Sequence, residues 1–221
     1  MVRTETLSAK LARWGFGDPS GYTPVAEAWA ETLGEERWTM LLDELAGSAD
    51  PDLAFTGLTR IAQARPDVIP ALGADPTWAR RLARVLGASV AFTQHLAIHP
   101  EELDLLVGDI GRRTAADLRA ELLAAIAAEG EQPVADPTRA NDLRRAYRRA
   151  LLRIAARDLT AADAIAVLPE VAEELADLAD ATVAAALALA RGEVEGWEVA
   201  RLGVIALGKT GARELNYVSD V

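Results

Sequence analysis

The residues best suited to chemistry lie in the last stretch of the sequence, ALGKTGARELNYVSDV, at positions 206–221. Gly208, Lys209 and Gly211 form a turn whose backbone N–H groups can point at phosphate oxygens, and Asp220 supplies a carboxylate that can bind a metal ion. The spacing is not that of a Walker A loop. The pattern therefore predicts a phosphate-binding turn beside one metal ligand, and the alternative is an ordinary turn at the end of a strand.

Two short segments must position this turn. Residues 199–207 are almost entirely apolar and too short for a typical helix, so they predict a strand buried on both faces. A second strand is predicted to begin near Tyr217. Two glycines within 192–196 separate these segments from the region before them. The turn would then lie between two strands.

The preceding residues, 1–191, predict one helical region, because apolar residues recur at helical spacing and no segment has a convincing strand pattern. Four pairs place a capping carboxylate before a proline at the first helical position: Asp18-Pro19, Asp50-Pro51, Asp75-Pro76 and Asp136-Pro137. Two Thr-Asp pairs resemble capping boxes: Thr114 with Asp117, and Thr160 with Asp163. Pro169 is predicted to kink or break the helix that follows the second pair.

Composition and charge narrow the class of protein. The 221 residues, 51% of them apolar, suffice for a sizeable core, and the absence of cysteine excludes disulfides, thiolate metal sites and thiol nucleophiles. A net charge of −11 argues against nucleic-acid binding as the main activity, because neutralising phosphates needs a cationic surface. The sequence shows no signal peptide and no membrane-spanning apolar run. We therefore expect a cytoplasmic protein that binds neither nucleic acid nor membrane.

Two further groups of polar residues could carry a function. Arginines recur every four residues at Arg145, Arg149, Arg153 and Arg157, forming one cationic edge of a helix. This edge could meet phosphate or an acidic partner. We favour the alternative, in which it pairs with acids of the following helix: Glu170, Glu173, Asp177 and Asp180.

The two histidines, His95 and His99, share a helical face at a spacing that suits a metal ion. No thiol and no evident third ligand accompany them in the sequence. A hydrogen-bonded or surface pair of histidines is therefore the favoured interpretation.

The C-terminal motif also has a family resemblance. LGKTGARELNYVSDV is similar to the signature G-K-L-G-G-x-E-L-N-x-x-S-D-I-D-L of the bacterial bifunctional glutamine synthetase adenylyltransferase/adenylyl-removing enzymes, and we expect an actinobacterial member. The segments LRRAYRRALLRIAARDL at 143–159 and EVAEELADLADATVAAAL at 170–187 resemble the same family, so the resemblance covers most of the chain. Thr210, Ala212 and Val218 depart from the usual signature residues.

The resemblance implies a mainly α chain in which residues 192–221 begin an α/β domain of the polymerase-β-like nucleotidyltransferase fold, with its first strand and turn. By matching position, Gly208 and Lys209 would begin the nucleotide-phosphate turn, Gly211, Asn216 and Ser219 would shape it, and Asp220 would be the first carboxylate that holds Mg²⁺. The family's second carboxylate would follow Val221. Because chemistry with two metal ions needs both carboxylates, we expect a truncated chain that is inactive alone.

The resemblance also implies the reaction and its partners. The family's N-terminal catalytic half removes AMP from a glutamine synthetase tyrosine by phosphorolysis, so the partners would be glutamine synthetase, ATP or ADP, orthophosphate and a nitrogen-status signal protein of the PII type. Two alternatives remain open. One is a non-catalytic helical interaction module with a disordered C-terminal end, and the other is a different polymerase-β-like nucleotidyltransferase that acts on a small molecule or RNA.

Overall fold

The computed structural model describes residues 6–130, 132–134, 136 and 138–218. Throughout these residues the regular structure is helical, and no β-strand occurs among them, so the prediction of a mainly α chain is confirmed. Two compact units divide the chain, Met1–Ile110 and Gly111–Val221, with the boundary inside the helical region predicted over 1–191. None of the helices described here is both long enough and apolar enough to cross a membrane.

The first unit contains seven α-helices and one 3-10 helix in its described part. They are α1 (Leu7–Arg13), α2 (Pro19–Leu33), α3 (Glu35–Ala46), α4 (Pro51–Ala64), α5 (Val68–Ala74), α6 (Pro76–Ala88), α7 (Val90–Ile98) and the 3-10 helix Pro100–Leu106. An aromatic cluster lies in its core, where the ring of Trp29 is 5.0 Å from that of Phe55 and 6.5 Å from that of Trp38. These rings belong to three consecutive helices and fix their packing.

The second unit is built on three helices. They are α8 (Ala115–Ala125), α9 (Arg139–Leu159) and α10 (Ala164–Glu193), followed by the 3-10 helix Trp197–Val199 and the short α11 (Gly208–Ala212). The long helix α10 packs against both α8 and α9, which also pack against each other. Their shared core is mostly leucine and alanine, and the small alanines allow the helices to approach closely.

Four of the six predicted helix starts are observed among the described residues. Asp18, Asp50 and Asp75 each accept a hydrogen bond from the backbone N–H three residues later, at 2.9–3.0 Å, and each precedes a helix that starts with proline. Thr114 and Asp117 form the predicted capping box at the start of α8. At the fourth Asp-Pro pair the helix begins later, at Arg139, and Asp136 caps the N–H of Thr138 at 2.9 Å; Pro137 lies outside the described residues.

The second predicted capping box is wrong. Asp163 is itself the cap of α10 and accepts hydrogen bonds from the N–H groups of Ile165 and Ala166, both at 3.0 Å. Thr160 instead ends α9, with its hydroxyl donating to the carbonyl of Ala156. Pro169 does not break α10, which runs through it. Pro169 lies near the exposed start of the helix and removes one hydrogen bond, the one to the carbonyl of Ile165. Because Ile165 is exposed, water can bind this carbonyl instead.

The strand predicted at 199–207 is not formed. Residues 200–207 have no regular structure, and the apolar side chains are exposed, with Val199 at 92%, Ile205 at 83% and Leu207 at 80%. A strand needs a partner for its N–H and C=O groups, and no strand occurs among the described residues to supply one. The predicted second strand near Tyr217 is likewise not observed up to residue 218, where the described part of the chain ends.

Two carboxylates buried on α10 hold the second unit together. Glu174, 1% exposed, accepts the backbone N–H of Arg113 at 2.9 Å and forms an ion pair with Arg157 at the end of α9. Asp177, 4% exposed, lies 2.9 Å from the guanidinium of Arg213 and 4.0 Å from that of Arg112. A buried carboxylate is tolerated only when such partners replace its water.

The C-terminal segment folds back onto these helices. Leu215, 7% exposed, joins the core formed by α8, α9 and α10, and α11 packs against α10. Leu202, only thirteen residues earlier in the same segment, is 63% exposed. The apolar contact of Leu215 therefore anchors residues 208–218, whereas residues 200–207 lack an equivalent anchor.

We predict that Glu174→Gln lowers the free energy of unfolding by about 3–5 kcal/mol, because an amide cannot neutralise the buried guanidinium of Arg157. The control is Glu173→Gln, whose half-exposed carboxylate pairs with Arg112, and we expect a change of at most about 1 kcal/mol there. Urea unfolding followed by circular dichroism measures both. Equal effects of the two substitutions would contradict the assignment of Glu174 as the buried anchor.

We also predict that Leu215→Ala lowers the free energy of opening of residues 208–218 by about 2–5 kcal/mol, since it empties a buried site. Leu202→Ala removes the same atoms from an exposed site and should leave the opening unchanged. Hydrogen exchange measured by mass spectrometry reports the amides of this segment directly. Unchanged exchange in Leu215→Ala would mean that other contacts hold the segment.

Candidate functional site

The predicted site residues fall on one exposed segment. Gly208, Lys209 and Gly211 lie in α11, and Asn216 follows it within the same unit. Ser219 and Asp220 lie outside the described residues. The structure therefore brings the turn and Asn216 together, and the positions assigned to Ser219 and to the metal ligand Asp220 remain predictions.

Geometry explains why the turn carries two glycines. Gly208 has a φ of +57°, a left-handed conformation that favours glycine. At Gly211 a Cβ atom would lie 2.4 Å from the carbonyl oxygen of Ala206, closer than any side chain tolerates. The chain thus turns back on itself at a place where a larger residue would push the segment 200–207 away from α11.

The turn is closed by its own backbone. The N–H of Gly211 donates to the carbonyl of Leu207 at 3.3 Å, and the N–H of Glu214 donates to that of Lys209 at 2.8 Å. These hydrogen bonds use the N–H groups of Gly211, in the second half of α11, and of Glu214, two residues after its end. Recognition of a phosphate by the backbone would therefore fall to the first residues of α11.

Two polar contacts tie the end of the motif to the helices. The guanidinium of Arg213 lies 2.9 Å from the carboxylate of Asp177 on α10, and the Tyr217 hydroxyl donates to the carboxylate of Asp158 on α9 at 3.0 Å. Burial of the phenol raises the pKa of Tyr217, and the negative charge of Asp158 raises that pKa further, so the hydroxyl keeps the proton that it donates. Both contacts place the motif against the three-helix core.

These anchoring residues were missed by the sequence analysis. Arg213 lies inside the motif at a position that the signature leaves open, and Asp158 belongs to the Arg-rich helix. Neither position therefore indicated an anchoring contact. A signal was present on α10. Glu174 and Asp177 stand three residues apart among apolar neighbours, and carboxylates on an apolar helical face demand cationic partners from elsewhere in the chain.

A groove of about 840 Å³ lies beside the turn. Its walls come from α8, α10 and the segment 200–207, with Arg119, Asp180 and Arg191 providing charge and Leu187 and Leu202 apolar surface. The guanidinium of Arg191 also stacks over the ring of Trp197, 5.1 Å from its centroid. The mixture of charged and apolar walls suits a surface that another part of a folded domain covers.

The cationic edge of α9 pairs with the next helix only in part. Arg157 contacts Glu170 at 3.5 Å and also Glu174, as expected. For Arg149 and Arg153 the described residues provide no ion pair, and their Nε atoms are buried without a hydrogen-bond acceptor. The preferred interpretation, that the whole edge pairs with α10, is therefore wrong for these two arginines.

The histidine pair of the first unit is hydrogen-bonded. His95, 5% exposed, lies 2.7 Å from the carboxylate of Glu102, which is itself buried, and its ring centroid is 5.0 Å from that of His99, with the two rings tilted by 50°. His99, Glu101 and Glu102 have ligand atoms within 4.8 Å of one another, the one grouping of this kind among the described residues. Because one oxygen of Glu102 already faces His95, the arrangement is that of a satisfied buried pair.

Donors for Mg²⁺ in the second unit are incomplete. The buried carboxylates Glu174 and Asp177 are occupied by arginines, and the carboxylate of the motif, Asp220, lies outside the described residues. A carboxylate is the hard oxygen donor that Mg²⁺ prefers. A single such donor fits one ligand position and does not by itself make the site of a pair of ions.

Comparison with known proteins identifies the family. The family model described as glutamate-ammonia ligase adenylyltransferase matches residues 79–221. No solved structure matches the chain with significance.

Curated relatives match over nearly all of this chain. Three of them carry the name bifunctional glutamine synthetase adenylyltransferase/adenylyl-removing enzyme. The relative from Cutibacterium acnes is 40% identical over 100% of this chain and 23% of its own length. Those from Streptomyces avermitilis and Mycobacterium avium are 42% and 39% identical, over 99% and 96% of this chain and 21% and 22% of their own lengths. The chain thus spans less than a quarter of these relatives. It belongs to the glutamate-ammonia ligase adenylyltransferase family of nucleotidyltransferases.

Proposed function

We propose that this chain is the N-terminal part of a bifunctional enzyme and belongs to the half that removes AMP from adenylylated glutamine synthetase. The observation that carries the proposal is the anchored motif. Leu215 is buried in the three-helix core, and Arg213 is paired with Asp177, so residues 208–218 are held in a defined position. The names of the relatives include both the adenylylating and the adenylyl-removing activity.

The proposed reaction is phosphorolysis. An oxygen of orthophosphate attacks the phosphorus of the AMP ester, and the bond from that phosphorus to the tyrosine oxygen breaks. ADP forms, and the proton carried by orthophosphate ends on the tyrosine oxygen, so charge and atoms balance. In such a transfer the protein mainly positions the reactants and stabilises negative charge.

The residues of this chain would contribute the phosphate turn. Gly208 and Lys209 would meet the phosphate oxygens with backbone N–H groups and one cation, while Gly211 permits the tight approach to Ala206. Asn216 and Ser219 would shape the turn. Asp220, with a carboxylate beyond residue 221, would hold Mg²⁺, which supplies charge neutralisation when bound.

The exposed apolar segment supports the proposed domain organisation. Residues 199–207 have the composition of a buried strand and lie exposed in this chain, which spans less than a quarter of its relatives. We infer that residues 192–221 begin the polymerase-β-like α/β domain, in which this segment pairs with strands from the rest of that domain.

The alternative of a helical interaction module is less well supported. It requires a disordered C-terminal end, whereas residues 208–218 pack against α10. For the longer enzyme we propose glutamine synthetase and a PII-type signal protein as protein partners. ATP or ADP and orthophosphate would be its small-molecule ligands, and the cytoplasm its location.

The test compares two lengths of polypeptide. We predict that the 221-residue chain catalyses no phosphorolysis of adenylylated glutamine synthetase with Mg²⁺ and orthophosphate. A longer polypeptide, in which the next carboxylate and the remaining catalytic domain follow, should be active. Asp220→Asn in that polypeptide should lower ADP release about a hundredfold or more, which corresponds to about 3 kcal/mol of lost transition-state stabilisation.

The control is Glu198→Gln in the same longer polypeptide. Glu198 is an exposed carboxylate outside the motif, so its neutralisation should leave the rate within a few-fold of the parent. If Asp220→Asn behaves like this control, Asp220 is not a metal ligand. If the 221-residue chain is active alone, the incomplete site is sufficient and the proposed division of the enzyme is wrong.

A further inference from the structure

Two arginines on α9 stand out because no described residue forms an ion pair with them. Arg149 and Arg153 lie one helical turn apart on the same face and are partly buried. Their Nε atoms are buried without a hydrogen-bond acceptor. Arg157, one turn further along, has two carboxylate partners, Glu170 and Glu174, although its Nε is also without an acceptor. The lack of an ion pair among the described residues is therefore what distinguishes Arg149 and Arg153.

The nearby acids are committed elsewhere. Glu173 accepts from Arg112 at 2.8 Å, and Asp177 lies between Arg112 and Arg213. Two like charges at this spacing repel each other, and a partly desolvated guanidinium without an acceptor costs free energy. A chain with 34 acidic residues could readily supply a counterion here, yet the described residues supply none. The arrangement is favourable once an anion from outside the described chain occupies it.

The shape of the pair suits a phosphate group. Each guanidinium presents several N–H donors in a planar fork that matches two oxygens of a phosphate. Residues four apart on a helix are separated by about 6 Å along its axis, so both forks can reach one tetrahedral anion. An oxyanion bound here would supply the negative charge that the described residues do not provide to the two guanidinium groups.

The pair also lies near the motif. The Tyr217 hydroxyl bonds to Asp158, next to Arg157, so the end of the motif meets the same helix about one and a half turns from Arg153 and about two and a half turns from Arg149. Asp220 follows Tyr217 by three residues in the sequence. A phosphate held by the two arginines is therefore within reach of a reactant bound at the motif.

We propose that Arg149 and Arg153 form an oxyanion site that binds a phosphate group of the reaction. The ligand is orthophosphate or a phosphate of the nucleotide. The identification of that ligand as a reactant rests on the proposed function, whereas phosphate binding itself does not. An acidic segment of another protein is the competing occupant. We favour phosphate because the two arginines lie near the motif that is proposed to bind the phosphate reactants.

Binding is tested on the 221-residue chain. Isothermal titration calorimetry with orthophosphate and, separately, with ADP should be run at constant ionic strength, because exposed charges are screened by salt. We expect at least one of the two to bind the parent, and the double variant Arg149→Gln/Arg153→Gln to bind it at least about tenfold more weakly. Binding of orthophosphate alone identifies the free anion as the ligand, and binding of ADP alone identifies the nucleotide.

Two further variants control for charge and fold. Arg148→Gln removes an exposed arginine from the same helix and should bind like the parent. Arg149→Lys/Arg153→Lys keeps both charges, loses the planar forks and should bind with intermediate affinity. In phosphate-free buffer the Gln variant should unfold at the same temperature as the parent or higher, because it removes two unbalanced cations, and circular dichroism should remain helical.

The outcomes separate this inference from the proposed function. In the longer enzyme, the Gln variant should raise the KM for orthophosphate about tenfold or more if orthophosphate is the ligand, with Arg148→Gln unchanged. If the Gln variant of the 221-residue chain binds phosphate and ADP like the parent chain, the inference is wrong, even when the longer enzyme is active. If neither ligand binds the parent and the Gln variant is less stable, the arginines are structural or meet an acidic segment, and the inference is again wrong. If the Gln variant loses phosphate binding and the longer enzyme catalyses no phosphorolysis, the oxyanion site is supported and the proposed reaction is wrong.

Discussion

The second unit depends on two carboxylates that α10 buries, Glu174 and Asp177. Each would cost several kcal/mol of folding free energy if it lost its partners. Glu174 is satisfied by the backbone before α8 and by Arg157 at the end of α9, and Asp177 by Arg112 and Arg213. The beginning of α8, the end of α9 and the residues after α11 are therefore tied to one place on α10, and none can shift without exposing a charge to an apolar core.

This constraint determines how the motif is held. The helix α11 has only five residues and cannot be stable by itself. Its position comes from Arg213 on Asp177, from Leu215 in the core and from Tyr217 on Asp158. The segment 200–207 has no comparable contact, and its apolar side chains face solvent. The helices thus fix the turn at Gly208–Ala212, whereas no described contact of this kind fixes the preceding segment.

Local chemistry made much of the fold predictable. Asp18, Asp50 and Asp75 cap helices because a carboxylate and a following proline act within one turn, whatever the rest of the chain does. Thr160 and Asp163 show the limit of such reasoning. Both are good caps, and the Thr160 hydroxyl is instead bound by the carbonyl of Ala156, a competition within the same helix that the sequence pattern does not resolve.

Long-range pairing was less predictable than local structure. The apolar composition of 199–207 predicts a buried strand, and this prediction is wrong for the described residues, where the segment is irregular and exposed, because strand formation depends on a partner strand and not on composition alone. The turn at Gly208 and Gly211 was predictable, and the left-handed φ of Gly208 and the close backbone approach at Gly211 agree with a turn there. Its anchors, Arg213 and Tyr217, depend on which helix faces the motif, and spacing along the chain carries no information about that.

The register of α9 and α10 explains why the arginine edge divides into paired and unpaired members. Residues 160–163 form a short connection, so the two helices run antiparallel. Residues one turn earlier on α9 therefore face residues one turn later on α10. Arg157 lies level with Glu170 and Glu174, whereas Arg153 and Arg149 lie level with residues about one and two turns later. That part of α10 is apolar where it faces inward, as at Leu178 and Ala181, and its acid Asp180 lines the groove with Arg119 and Arg191 instead. The acids Glu170, Glu174 and Asp177 pair with Arg157 and with Arg213 of the motif, and this distribution leaves Arg149 and Arg153 without a counterion among the described residues.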